Sequence, residues 1–176
     1  ISFRHADAER LPFPDASFDV VLSTFGVMFA PDQPRAATEL LRVARRGGRI
    51  GLASWTPEGF LGRLFETMSS FVPPPAGLES PMAWGSEARM AGLFGSRASD
   101  VKTTRRTYFF RYRSAAHWVE FFRSFYGPTR KAFAALDDSG QRALHAALVA
   151  LLGRWNAHRG EALVVPAEYL ETVIRK

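Results

Sequence analysis

The sequence predicts an α/β protein whose sheet is at least partly parallel. Two apolar runs of strand length, "FDVVLSTF" (Phe18 to Phe25) and "RIGLASW" (Arg49 to Trp55), carry that reading. Between them lies a segment of helical period. A strand, a helix and a second strand in this spacing make a βαβ unit, whose crossover places the two strands parallel.

In chain order, "ISFRHA" (residues 1 to 6) is short and β-prone and reads as a strand ending at Asp7. "LPFPDAS" is a turn-forming loop, because Pro12 and Pro14 cannot donate ladder hydrogen bonds. Phe18 to Phe25 is nearly continuous in apolar residues, the pattern of a strand covered on both faces. Asp32 then suits a helix N-cap and Pro34 the first turn. Ala37, Leu40, Leu41 and Ala44 form one stripe, and Gly47-Gly48 stops the helix. Arg49 to Trp55 is a second buried-type strand.

The later half has a different texture. Phe60 to Phe71 reads as a helix, "PPPAG" as a loop, and Glu87 to Phe94 as a short helix. Val101 to Tyr112 has strand propensity and sets Tyr108, Phe110 and Tyr112 on one face. Trp118, Phe121, Phe122 and Phe125 repeat at helical spacing until Gly127-Pro128 breaks the pattern. Gln141 to Trp155 carries Leu144, Leu148, Leu151 and Trp155 on a stripe. "ALVVP" is a final strand, and "AEYLETVIRK" extends it or forms a terminal helix.

Composition narrows the function classes. The 176 residues are 47% hydrophobic, which suits one globular domain with a substantial core. No uncharged apolar run of about 18 or more residues is present, so no membrane-spanning helix is expected. Cysteine is absent, which removes disulfides, thiol nucleophiles and cysteine-ligated zinc, and is compatible with a cytoplasmic location. The net charge of +6 invites a nucleic-acid reading. That reading is weakened because twenty of the 23 basic residues are Arg and they are scattered, apart from "KTTRRTYFFRYR" at 102 to 113. Nucleic acid is therefore not expected as a partner. The four histidines show no metal-ligand spacing, and no metal is expected.

"DAERLPFPDASFDVVLSTFGVMF", followed by "ATELLRVARRGGRIGLASW", resembles the middle of a class I S-adenosylmethionine-dependent methyltransferase. The subgroup it is most similar to is the one related to ubiquinone and menaquinone biosynthesis. The resemblance implies a Rossmann-like fold, a mostly parallel sheet of order 3-2-1-4-5-7-6 with an antiparallel strand near the C-terminus. It also implies S-adenosylmethionine as cofactor. By the same resemblance Asp7 accepts from the adenine amino group and the amide of Ala8 donates to a ring nitrogen, while Ser23, Thr24 and Phe25 stand beside the cofactor. Met28 and Phe29 follow as apolar walls.

Methyl transfer from a sulfonium is an in-line displacement with a good leaving group, so the protein must chiefly position its reactants. This fits a sequence without a catalytic triad. The likeness is strong over about residues 1 to 56, a cofactor-side βαβ portion, and looser over 57 to 176, read as substrate-side helices and C-terminal strands. Arg46 stands where the family usually has Pro before the paired glycines. The family's glycine-rich loop, which cradles the cofactor at a helix N-terminus, and its ribose-binding acid are not found in these residues. The chain is accordingly expected to be a single partial domain, about the C-terminal two-thirds of a methyltransferase that acts on a small molecule. The alternative is a non-catalytic methyltransferase-like interaction module or an inert fragment.

Plainer readings stand beside these. Asp19 reads as structural at a strand start, and the Trp118 to Phe125 stripe as core. Trp55, Trp84 and Tyr126 either pack or line an acceptor site. His5 and His117 are general-base candidates, with no catalytic residue assigned. Arg105, Arg106, Arg111 and Arg113 read as a solvated strand face.

Overall fold

Four strands form one sheet in the order β1-β2-β4-β3, in a computed structural model that describes residues 1–176. The strands are β1 (Phe18–Thr24), β2 (Ala44–Trp55), β3 (Asp100–Tyr112) and β4 (Leu163–Arg175). The helices are α1 (Gln33–Val43), α2 (Phe60–Phe71), α3 (Glu87–Phe94), α4 (Ala115–Phe125), α5 (Gly127–Ala134) and α6 (Asp138–Trp155). β1 and β2 pair in parallel, joined by α1, which is the expected βαβ unit. β4 runs antiparallel to β2, from Arg49↔Arg175 to Trp55↔Tyr169, so the antiparallel strand near the C-terminus is present. The sheet is the 4-5-7-6 portion of the order the resemblance implies.

The chain divides into two compact units. The first comprises residues 1–57, 78–106 and 169–176, and the second 58–77 and 107–168. In the first, Asp32 caps α1 by accepting from the amide of Arg35 at 3.0 Å, with Pro34 in the first turn. The apolar face of α1 then buries Ala36, Ala37, Leu40 and Leu41. Gln33 is also buried, donating to the Ser80 carbonyl at 3.0 Å and accepting from Arg89 Nε at 3.1 Å. Gly85 closes the 3₁₀ turn Pro81–Gly85 directly on the end of β2, where a Cβ would fall 2.0 Å from the Trp55 carbonyl oxygen. In the second unit, Phe60, Trp118 and Phe122 centre the core; Trp118 and Phe122 stack at 3.7 Å. Leu144, Leu148 and Leu152 of α6 are fully buried.

Four expectations change. Residues 1–6 form no strand, and only an isolated Asp7↔Arg10 bridge follows them. Strands exist only when paired, and no neighbouring strand takes up their backbone groups, so Ile1 and Phe3 face solvent. Helix α1 ends at Val43, four residues before Gly47, the first glycine of the pair, and Ala44 already belongs to β2. The glycines instead serve a register shift, in which Phe18↔Ala44 is followed by Val20↔Arg49. Gly47 takes φ +76°, and at Gly48 a Cβ would press 2.8 Å from the Arg45 carbonyl and 2.9 Å from that of Asp19.

β1 is not covered on both faces. It is an edge strand, with Val20 and Leu22 exposed at 54% and 73%. The aromatic stripe of α4 splits, because a helix packs only one face: Trp118 and Phe122 turn inward, while Phe121 and Phe125 remain exposed. Of the two fates open to "AEYLETVIRK", strand extension is the one realised in β4.

Candidate functional site

The carboxyl end of β1 is where an open α/β sheet takes its ligands. There the chain passes from Ser23 and Thr24 into the 3₁₀ turn Val27–Phe29. The Phe25 amide donates to the Ala53 carbonyl at 2.8 Å, continuing the β2 ladder one residue past the strand. Phe25 itself adopts φ 55°, a left-handed conformation that costs a non-glycine residue energy. Its ring stacks on Trp55 at 3.9 Å and 11°, and meets Tyr169 edge-on at 5.5 Å. Ser23 Oγ accepts from the Val27 amide at 3.0 Å, fixing the turn that follows.

Beside this turn lies an open groove of about 400 Å³, lined by Ala8, Phe13, Phe18, Val21, Ser23 and Val27 among others. A second, polar groove of about 640 Å³ contains His5, Asp7, Glu9, Arg10, Asp32 and Arg35, and shares Leu11 with the first. The Asp7 carboxylate accepts from the Glu9 amide at 2.9 Å, and the Asp7 carbonyl from the Arg10 amide at 3.0 Å, so Asp7 heads a tight turn.

The loop over both grooves is held from below by α1. Glu39 accepts from the Leu11 amide at 2.7 Å and from Arg42 Nε at 2.7 Å. Arg42 donates onward to the carbonyls of Phe13 at 2.7 Å and Leu11 at 3.0 Å, and to Asp15 at 2.9 Å. The Arg42 guanidinium holds the Glu39 carboxyl below its usual range, outweighing the opposing effect of burial. Both Nη atoms of Arg42 thus reach the loop that carries Leu11, Phe13 and Asp15, while its Nε donates to Glu39.

Of the expected cofactor-side residues, Ala8 and Ser23 come together on one groove, and Asp7 lies in the adjoining one. Asp7 is exposed and does not close a strand. Thr24 is exposed at the strand end, outside the lining of either groove, and Phe25 turns to Trp55 and Tyr169. Met28 is buried core instead of a wall, whereas Phe29 is partly exposed. Asp19 pairs with Arg45 at 2.8 Å at the start of β1, a structural role.

Trp84 is fully buried, so its ring packs. Tyr126 is half-buried, with its hydroxyl buried and unpaired, and burial raises its pKa. His5 is exposed in the polar groove, while His117 has a buried, unpartnered Nδ1. Arg105 and Arg106 pair with Glu87 and Glu171, and Arg111 lies over the Phe109 ring at 5.3 Å. No group of three or more His, Asp or Glu is placed to hold a metal ion. Sequence reasoning missed Tyr169 and the Glu39–Arg42 clamp; the i,i+3 spacing of that pair on a helix was the available signal.

Comparison with known proteins bears on the same residues. Residues 1–52 match a family model described as a methyltransferase domain. An uncharacterized protein of Mycobacterium tuberculosis is 45% identical over 141 residues, covering 79% of this chain and 52% of that protein. A demethylmenaquinone methyltransferase of Deinococcus radiodurans is 33% identical over 134 residues, covering 68% of this chain and 54% of the enzyme. The chain therefore spans about half the length of the curated relatives it matches. Among solved structures, the YcgJ protein of Bacillus subtilis superposes with TM-score 0.57 at 15% identity, over 99% of this chain and 70% of that one, a likeness of fold.

Proposed function

Since the chain belongs with the class I S-adenosylmethionine-dependent methyltransferases, we propose that it takes part in methyl transfer from S-adenosylmethionine to a small-molecule acceptor. The observation that carries this is the meeting of Ala8 and Ser23 on one groove that runs along β1 from Phe18 to the turn at Val27, inside the stretch that matches the methyltransferase model. The groove's apolar walls and volume suit a nucleoside, and its polar neighbour holds the Asp7 carboxylate. A carboxylate accepts from an exocyclic amine and a backbone N–H donates to a ring nitrogen, so Asp7 and Ala8 would hold the adenine.

Ser23, Thr24 and Phe25 would border the methionine part, with Ser23 fixing the turn and Phe25 rigid against Trp55. When bound, S-adenosylmethionine supplies the methyl group on its sulfonium. The residues of this chain exclude water along the apolar wall and orient the cofactor, which is where an in-line displacement gains most. Neither His5 nor His117 is assigned as a base.

Calorimetric titration tests the reading on the 176-residue chain and on the full-length gene product. Few polar groups line the apolar groove and Asp7 is exposed, so the 176-residue chain should bind weakly, about millimolar or worse. The full-length product should bind in the micromolar range, and Asp7→Ala in it should weaken binding roughly tenfold, the loss of one hydrogen bond to a charged group. No binding by the full-length product would favour a non-catalytic interaction module. Tight binding unaffected by Asp7→Ala would move the cofactor elsewhere.

A further inference from the structure

The second compact unit carries a cavity lined by two arginines and a histidine. On α6, Asp138, Gln141, Arg142 and His145 are spaced three, four and seven residues along, so their side chains share one face. Arg123, from the last turn of α4, joins them, and the five residues line an open cavity of about 350 Å³. A smaller cavity of about 200 Å³, lined by Arg123, Arg130, Phe133, Ala134 and Gln141, shares Arg123 and Gln141 with it.

Arg123 is held in place without being neutralised. Its Nη2 donates to Gln141 Oε1 at 2.7 Å, and Gln141 Nε2 donates to the Leu136 carbonyl at 3.0 Å, which orients the amide with its oxygen toward the guanidinium. The guanidinium also lies over the Phe133 ring, 4.7 Å from its centroid. No carboxylate pairs with Arg123, and its remaining N–H donors are unused. Arg142 is exposed and its side chain makes no hydrogen bond or ion pair. A half-buried, preoriented guanidinium beside a second free one is a fork for an oxyanion. Two acids bear on it: Asp138, in the first turn of α6, is part of the cavity lining, and Glu120 lies 3.7 Å from His145.

We propose that this cavity binds a small oxyanion, the phosphate or carboxylate of a metabolite, between Arg123 and Arg142, with Asp138 opposing it and limiting affinity. The site is independent of the cofactor reading, and its test uses no S-adenosylmethionine. Pyrophosphate and citrate are titrated separately into the 176-residue chain at constant ionic strength, following the arginine side-chain resonances by NMR. The expected result is saturable binding of one or both, tighter than about 1 mM. Saturation by pyrophosphate alone assigns a phosphate ligand, and by citrate alone a carboxylate.

Arg123→Met keeps the apolar stem against Phe133 and should weaken binding at least tenfold, as should Arg142→Gln. Asp138→Asn should tighten it several-fold. Non-saturating shifts that sodium chloride reproduces at equal ionic strength would overturn the proposal, as would unchanged affinity in Arg142→Gln. Arg142 is exposed and unpaired, so that variant decides the matter even where Arg123→Met fails to fold.

Discussion

Phe25 stores backbone strain that its ring compensates, and two substitutions at this one position separate the terms. Its amide must reach the Ala53 carbonyl while the chain turns into Val27–Phe29, and φ 55° is the conformation that satisfies both. For a residue with a Cβ this conformation costs about 1–2 kcal/mol. The ring answers with a stacked contact to Trp55 and an edge contact to Tyr169, each aromatic pair contributing about 0.5–1.5 kcal/mol.

Phe25→Ala removes the ring and keeps the strain, so it should lose about 2–3 kcal/mol once part of the apolar burial is included. Phe25→Gly removes the same ring but relieves the strain, against an entropy cost of about 0.5–1 kcal/mol in the unfolded chain. The glycine variant should therefore be the more stable of the two by about 1 kcal/mol, or roughly 2–4 °C in Tm for a chain of this size. Urea unfolding followed by far-ultraviolet circular dichroism measures both. If Phe25→Ala equals or exceeds Phe25→Gly, the strain assignment is wrong.

Gly85→Ala should destabilise the fold by more than an ordinary surface change, about 2 kcal/mol or more, because its Cβ would meet the rigid carbonyl of Trp55 at 2.0 Å; wild-type stability in the same urea experiment would show that this 3₁₀ turn can shift freely. Glu39 has a folded pKa depressed by Arg42, so it contributes stability that is present above its unfolded value near ~4.3 and lost as pH falls through the folded value. Glu39→Gln should be less stable at neutral pH and should flatten the acid limb of a stability-against-pH curve; an unaltered slope between wild type and variant would discount the clamp. Tyr126 has a folded pKa raised by burial, so its stabilising contribution is full below about pH 10 and lost as pH rises through the folded value. In a spectrophotometric titration Tyr126→Phe should leave the tyrosinate step near pH 10 unchanged in amplitude, and a smaller step would mean that Tyr126 ionises with the exposed tyrosines.

Local signals served best where one short stretch decides the outcome. The α1 start was readable because Asp32 and Pro34 act within a single turn, and α3 ran over the residues its pattern indicated. The antiparallel β4 was foreseen as a strand, but whether it continued past Pro166 depended on the β2 ladder waiting for it, from Trp55↔Tyr169 to Arg49↔Arg175. The paired glycines misled for a related reason. Gly47 and Gly48 carry the composition of a helix stop, yet their positions are set by how closely β2 approaches the Asp19 and Arg45 carbonyls, which is a property of the pairing.

The same distinction runs through the candidate site. Ser23, Thr24 and Phe25 were locatable because they follow a strand that also finds a partner, β2. Asp7 was expected to close a strand, but "ISFRHA" has β propensity and no ladder, and propensity without a partner leaves Asp7 heading an exposed turn. What holds that turn near the groove is the reach of Arg42 and Glu39 to Leu11, Phe13 and Asp15, spanning 27 to 31 positions of sequence. Spacing on a helix can announce that two such side chains share a face, but the loop they bind enters only through the fold. The position of the Asp7 turn is therefore a tertiary property, and perturbing Glu39 should displace it more than any change within residues 1–6.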